Sequence, residues 1–273
     1  MTTVCPVPLM YNSKIRERVM EHNKPYALNL GLSIFILLAA LTGVEYLIAA
    51  TVASAFLLVV IALTKAGLVL YYYMHIHRLN KSDPEADRHS YAYKTGSNRF
   101  GLWLFLLSDS FVFGGLLVTR FGLLGNTRPD LNQALGLAVT TVLLVSSFFM
   151  NRAETSMEYG DRKGFLLGTS ITILLGLGFL AGVVGLEWPL AIREGLTPSS
   201  GPAGAVFFML TGMHAFHVFT GIVFLVIVFR NGLRGVYSAE KHWAVEAAAV
   251  YWHFVDVVWI FFYPALYLIG VHL

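Results

Sequence analysis

Seven long apolar runs separated by short polar stretches dominate the chain, near residues 27–50, 53–74, 100–118, 131–150, 164–186, 204–229 and 244–270. Each is long enough to cross ~30 Å of hydrocarbon at ~1.5 Å per helical residue. Within such a layer a helix satisfies all its backbone donors and acceptors internally, so the pattern predicts an all-α bundle of seven transmembrane helices. The runs have neither the alternation nor the short spacing of barrel strands. Almost nothing separates the first two runs, which predicts a tight antiparallel hairpin. The longest polar stretch, 76–99, divides the chain into a two-helix unit (1–80), a linker (81–98) and a five-helix unit (99–273). No internal repeat is evident, which counts against a transporter built from duplicated halves.

Composition agrees with lipid as the main solvent. Hydrophobic residues make up 56% and charged residues 13% of the 273, with a mean hydropathy of +0.66. A soluble domain carries about 25% charge. The net charge of +3 does not point to nucleic acid, because the basic residues are confined to loops. Fifteen fall on one side of the predicted membrane: Lys14, Arg16, Arg18, Lys24, Arg78, Lys81, Arg88, Lys94, Arg99, Arg152, Arg162, Lys163, Arg230, Arg234 and Lys241. Only Arg120, Arg128 and Arg193 fall on the other, with Lys65 inside the second run. That asymmetry predicts a cytoplasmic N-terminus and an external C-terminus. Residues 1–26 mix both charges and lack an apolar core, so they read as a retained tail rather than a cleaved signal. The single cysteine, Cys5, reads as a free thiol.

Ionisable groups at bilayer depth cost at least ~2.5–3.5 kcal/mol each and call for a partner or a role. The set is Glu45, Lys65, Asp109, His214, His217, Glu246, His253 and Asp256. His217 and Asp256 both lie about twelve residues, or ~18 Å, from the basic end of consecutive antiparallel helices. Glu246, Ala249, His253, Asp256 and Tyr263 share one face of the seventh run, and Thr211, His214, His217 and Gly221 form a stripe on the sixth. The expectation is that the two stripes face each other, with His217 bonded to Asp256 as a structural polar pair. A metal or haem site of His214, His217 and His253 is the sharper alternative, disfavoured because the seventh run supplies only one histidine. Lys65 is expected to snorkel toward the basic side and Glu45 to reach water near the hairpin turn. Asp109 has only serines as polar neighbours in its run, so it is either neutral or paired across helices.

Several motifs resemble subunit III of the haem–copper oxidases. HWAVEAAAVYWHFVDVVWIFFYPALY (242–267) is similar to that family's last helix, and TGMHAFHVFTGIVFL (211–225) to its penultimate one. SMEYGDRKG (156–164) resembles the preceding loop, RFGLWLFLLSD (99–109) the opening of the third helix and GLEWPLAI (185–192) the segment after the fifth. By contrast, ALTKAGLVLYYYMHIHRL (62–79) resembles a helix of the small bacterial oxidase subunit IV, which suggests a subunit IV-like hairpin fused ahead of a five-helix subunit III.

The resemblance implies a non-catalytic subunit of a proton-pumping terminal oxidase in the bacterial cytoplasmic membrane. Such a subunit binds no haem, copper or other metal itself. Those groups belong to its partners: subunit I as the main contact, subunit II and subunit IV, within a larger respiratory assembly. The family holds phospholipids in a cleft between its first two helices and the other five. Asp109 stands where the family usually has glutamate, and Glu246 matches a family acid, so both are candidate proton-uptake or subunit-contact carboxylates. Arg230 and His242 match positions near lipid head groups. A subunit III homologue of a quinol oxidase or nitric oxide reductase stays open, because the electron donor is set by the partners. From another class, a stand-alone transporter or channel would call for a broken or charged helix at midspan.

Overall fold

The computed structural model describes residues 8–52, 54–80 and 90–272; side chains are described from residue 23 onward, except those of Asn80, Ala92 and His272. Cys5 and linker residues 81–89 lie outside this set, and the side chains of Lys14, Arg16 and Arg18 are not described. Within it, seven helices are long and apolar enough to span a membrane. They are α1 (Pro8–Thr51, spanning from Asn23), α2 (Ala55–Leu68, continued by a π turn Val69–Tyr73), α3 (Tyr91–Leu124), α4 (Gln133–Glu158), α5 (Arg162–Leu180, continued through a π segment Ala181–Glu187 into α6, Trp188–Arg193), α7 (Pro202–Leu233) and α8 (Trp243–Tyr263, continued by a π turn Pro264–Leu268). The chain is therefore the expected all-α polytopic bundle.

Local chemistry sets the helix ends. The side chains of Ser90, Asn132 and Asp161 accept from the amides of Tyr93, Leu135 and Gly164, so α3, α4 and α5 start on satisfied N-caps. Gly160, at φ +76°, takes the left-handed conformation that lets the chain leave α4 and enter α5 within four residues. Pro202 opens α7 at its first position, where a missing N–H costs nothing.

α8 is the hub of the bundle. In its membrane window 83% of residues are buried, against 11% in α3, which lies outermost. Two tryptophans lock the hub. Trp252 donates to Ser146 Oγ (3.1 Å) and Trp259 to Thr140 Oγ1 (2.9 Å), both on α4. The Trp252 ring also fills the space left by Gly176 of α5 and Gly221 of α7, where an added Cβ would stand 2.6 and 3.0 Å from ring carbons. With water removed from both sides, this interlock of small residues with large rings is the main packing force left between helices.

Candidate functional site

Asp109 lies midway along α3, the least covered helix, with its side chain only 14% exposed. What covers it is His217 of α7. Asp109 Oδ2 and His217 Nε2 are 3.3 Å apart, an ion-pair distance, although the carboxylate oxygen makes no aligned hydrogen bond. The other ring nitrogen, Nδ1, is 2.7 Å from the Met213 carbonyl one turn earlier. A carbonyl only accepts, so Nδ1 carries a proton and Nε2 is the atom left to exchange one with Asp109. Phe113 covers the imidazole edge-on at 4.7 Å, and the Phe216 ring stands 5.6 Å away. His217 of the pair lines an apolar cleft of about 580 Å³ between α3, α7 and α8, walled by Leu102, Phe105, Phe216, Phe224 and Tyr251 among others. Phe105 and Phe216 are more than half exposed on this chain alone, so the site faces outward, onto lipid or a neighbouring polypeptide.

At the basic end a network of ion pairs ties the helices together. Arg99 of α3 holds Glu246 of α8 in a two-pronged contact (Nε–Oε1 2.8 Å, Nη2–Oε2 2.9 Å), the geometry a planar guanidinium favours. Arg78, beyond α2, meets Glu158 of α4 at 3.2 Å, and Lys24 of α1 meets Asp161 at 2.7 Å. His75 turns the chain out of α2 with a left-handed φ of +50° and stands 3.9 Å from the buried Glu154. Burial, with Arg78 and His77 nearby, pushes the His75 imidazole down to about 3, so it is neutral at physiological pH. The Lys24 and Gly164 contacts act the other way on Asp161, which the Gly164 amide and Lys24 hold below the usual carboxylate range. A polar cavity of about 290 Å³ is lined by Arg78, Arg99, Glu158, Glu240, His242 and Glu246, with Trp243 shared between it and the apolar cleft. His242 thus sits at a polar rim above the cleft. Arg230 is exposed at the end of α7 and is not in that rim.

The expected His217–Asp256 pair does not form. Both groups stand at similar depth, but depth does not fix direction around the helix, and α8 has neighbours on several sides. His217 turns to α3, whereas Asp256 turns toward α2 and α4, where neither carboxylate oxygen has a hydrogen-bond partner. His253 also faces α4 and the hairpin, with Nδ1 2.7 Å from Ser147 Oγ and its ring 5.1 Å from Tyr73. His214 is fully buried between Trp259 (4.8 Å), Phe179 (5.5 Å) and Phe262 (6.1 Å), with both ring nitrogens unpartnered. The three histidines therefore point to three places rather than converging. Among the described residues no group of three or more His, Cys, Asp or Glu side chains is arranged to hold a metal.

Lys65 and Glu45 also depart from expectation. Lys65 (2% exposed) does not snorkel and Glu45 (0% exposed) does not reach water; they form a buried ion pair across the hairpin. Each removes the other's uncompensated charge, a stronger pull than a distant interface.

Several residues escaped the sequence reading. Glu154 and Glu158 were expected in a loop after residue 150, yet α4 continues to Glu158 and buries Glu154. Arg120, read as a loop residue on the opposite side, is fully buried and makes four hydrogen bonds, to the carbonyls of Ala265 (2.7 Å), Ile269 (2.7 Å), Gly125 (2.9 Å) and Thr127 (2.9 Å). It caps the carbonyl end of α8. Arg128 adds a bond to Gly270 O at 3.1 Å and a shorter one to Tyr267 O, beside a two-residue parallel ladder, Thr127–Arg128 with Val271–His272. Tyr267 in turn bonds the buried Glu187. The available signal was an arginine following an unbroken helical run.

The family model described as cytochrome c oxidase subunit III matches residues 19–271, which includes the hairpin. The cytochrome c oxidase subunit 3 of Equus caballus is 35% identical over 182 residues, 62% of this chain and 68% of that protein. That of Felis catus is 35% identical over the same length and coverage. That of Osphranter robustus is 31% identical over 227 residues, 78% of this chain and 84% of that protein. With a match running through all seven spans, the chain belongs to the cytochrome c oxidase subunit III family.

Proposed function

We propose that this chain is the non-catalytic subunit III of a proton-pumping haem–copper terminal oxidase of aerobic respiration. It is a multi-pass protein of the bacterial cytoplasmic membrane with a cytoplasmic N-terminus, a side assignment that rests on the basic-loop asymmetry. Redox chemistry takes place in its partners, and this chain braces the catalytic subunit and supports its proton uptake. The observation that carries the reading is the Asp109–His217 pair on the outermost helix, within a family match covering residues 19–271. A carboxylate and an imidazole at midspan can share one proton and remain neutral as a unit, which makes them tolerable in lipid and useful at a subunit contact. The exposed face of α3, with Leu104, Phe105, Leu107, Phe111 and Val118 all at least half exposed, is the surface offered to subunit I.

A phospholipid fits the cleft beside this pair. Its chain would lie along Leu102, Phe105 and Phe224, and its head group in the polar cavity at Arg99 and His242, with Trp243 at the boundary. The reading of residues 1–80 as a subunit IV-like module is supported by the Lys65–Glu45 pair, which balances the hairpin's buried charges within the hairpin. The test of the function is Asp109→Ala in the assembled complex. Assembly and haem content are expected to remain, while proton uptake or the lifetime of activity during prolonged turnover changes. Unchanged kinetics over the whole time course would remove Asp109 from the functional residues.

A further inference from the structure

The hairpin meets α4 and α8 around a small chamber, apolar over much of its wall, that the Asp109–His217 site does not touch. Its polar walls are Thr42, Lys65, Thr140, Ser147, Asp256 and Tyr263, and its volume is about 30 Å³. Two groups lining it lack hydrogen-bond partners, the carboxyl of Asp256 (6% exposed) and the hydroxyl of Tyr263 (0% exposed), and behind Lys65 the Oε1 of its partner Glu45 is a third. A water site needs at least ~10–15 Å³ and two to four polar partners, so the chamber has room for one or two waters and partners enough to hold them. An unpartnered carboxyl and hydroxyl of α8 meeting a buried ammonium of α2 at one small cavity is an arrangement that side-chain packing alone leaves costly.

We propose that this chamber is a hydrated, exchangeable proton-binding site with Asp256 as its acceptor. One or two waters join the Lys65 ammonium, itself paired with Glu45, to the Asp256 carboxyl and the Tyr263 hydroxyl. The titratable groups facing Asp256 are Lys65 and Glu45 from the hairpin, Tyr73 from the π turn of α2, and His253 and Tyr263 from α8 itself. The route to the basic end runs through Ser147, whose Oγ lies 2.7 Å from His253 Nδ1 while His253 Nε2 stays unpartnered. Beyond the Tyr73 ring, which contacts His253, a second cavity of about 170 Å³ is lined by Tyr73, His75, Asn151 and Glu158. A proton taken up at His253 Nε2 releases the Nδ1 proton to Ser147 Oγ. The serine hydroxyl then passes its own proton, directly or through a chamber water, to the Asp256 carboxylate. The imidazole returns by changing tautomer, and one proton has moved with no other net change. The site lies on the opposite flank of α8 from Phe254 and Phe262, which contact α3.

The test is infrared spectroscopy of the complete complex together with its high-resolution structure. The wild type is expected to show a carboxylic acid C=O band that shifts on exchange into D2O and is missing in Asp256→Asn. In His253→Phe the band should remain while its exchange slows at least ~10-fold. The wild-type density should contain ordered water between Lys65 and Asp256, a readout that needs no variant to fold. A band that persists unchanged in Asp256→Asn, exchange unaffected in His253→Phe, or a dry chamber in the wild-type map would each overturn the proposal.

Discussion

Replacing Lys65 with methionine tests the buried charge balance of the hairpin most sharply. Lys65 and Glu45 are 2% and 0% exposed, so removing the ammonium leaves a buried carboxylate without its ion-pair partner. Breaking a buried pair from one side costs about 3–5 kcal/mol, whereas replacing both partners with neutral groups of similar volume is often neutral or stabilising. Lys65→Met and Glu45→Gln are each expected to weaken retention of this chain by about 3 kcal/mol, somewhat less if chamber water relieves the orphaned charge. Lys65→Met/Glu45→Gln should cost no more than about 1 kcal/mol, giving a coupling energy of about 5 kcal/mol. The assay is a denaturant titration of the purified complex, following the fraction of this chain that stays bound. At 1.4 kcal/mol per decade a single-variant loss of about 3 kcal/mol corresponds to a roughly 140-fold change in the equilibrium. Effects of the two single variants that add in the double variant to within about 0.5 kcal/mol would refute the reasoning.

Other expectations follow from the same contacts. Arg120→Ala frees the carbonyls of Ala265 and Ile269 at the end of α8 and of Gly125 and Thr127 after α3, and should destabilise the chain by about 3 kcal/mol, read as faster amide exchange over residues 264–272. Arg120→Lys should rescue little of this, since a point charge cannot fork to four acceptors. Gly176→Ala drives a methyl to 2.6 Å from the Trp252 ring and should cost about 1–3 kcal/mol in thermal stability, with Trp252→Phe as a partial suppressor. Because Asp161 is held below its ordinary range, its contribution is present above the unfolded carboxylate value of about 3.9 and is lost as pH falls through the lower folded value. Asp161→Asn should keep an oxygen to cap Gly164 but lose the Lys24 ion pair and, with the titrating carboxylate gone, this acid-range dependence, measured as stability against pH.

The spans were legible because lipid demands ~20 apolar residues whatever the fold. Their ends were less so. α4 runs eight residues past the expected 150 because Asn151 and Glu154 are buried against the hairpin and the half-exposed Glu158 pairs with its Arg78. The identity of the buried ionisable groups could be read from the chain, but not their partners. Depth follows from counting residues along one helix, whereas partnership depends on the direction each side chain faces around it. Asp256 and His217 have matching depth and face apart. Lys65 illustrates the same limit: it stands ten residues past Ala55 and Glu45 six before Thr51, so its stem reaches back toward the hairpin turn, away from the basic face. Glu246 was singled out for its position at the head of α8, but the sequence gives no sign that Arg99, 147 positions earlier, would hold it. His214 shows that a buried imidazole can be caged by aromatic rings with no polar partner at all.

The most direct measurement is purification of the tagged chain from its own membrane in mild detergent, followed by visible absorbance and identification of the companions. The account predicts haem- and copper-bearing oxidase subunits in fixed ratio, with oxygen reduction by that assembly. Recovery of this chain without haem-bearing companions, or a Soret band and oxygen consumption from this chain alone, would contradict it.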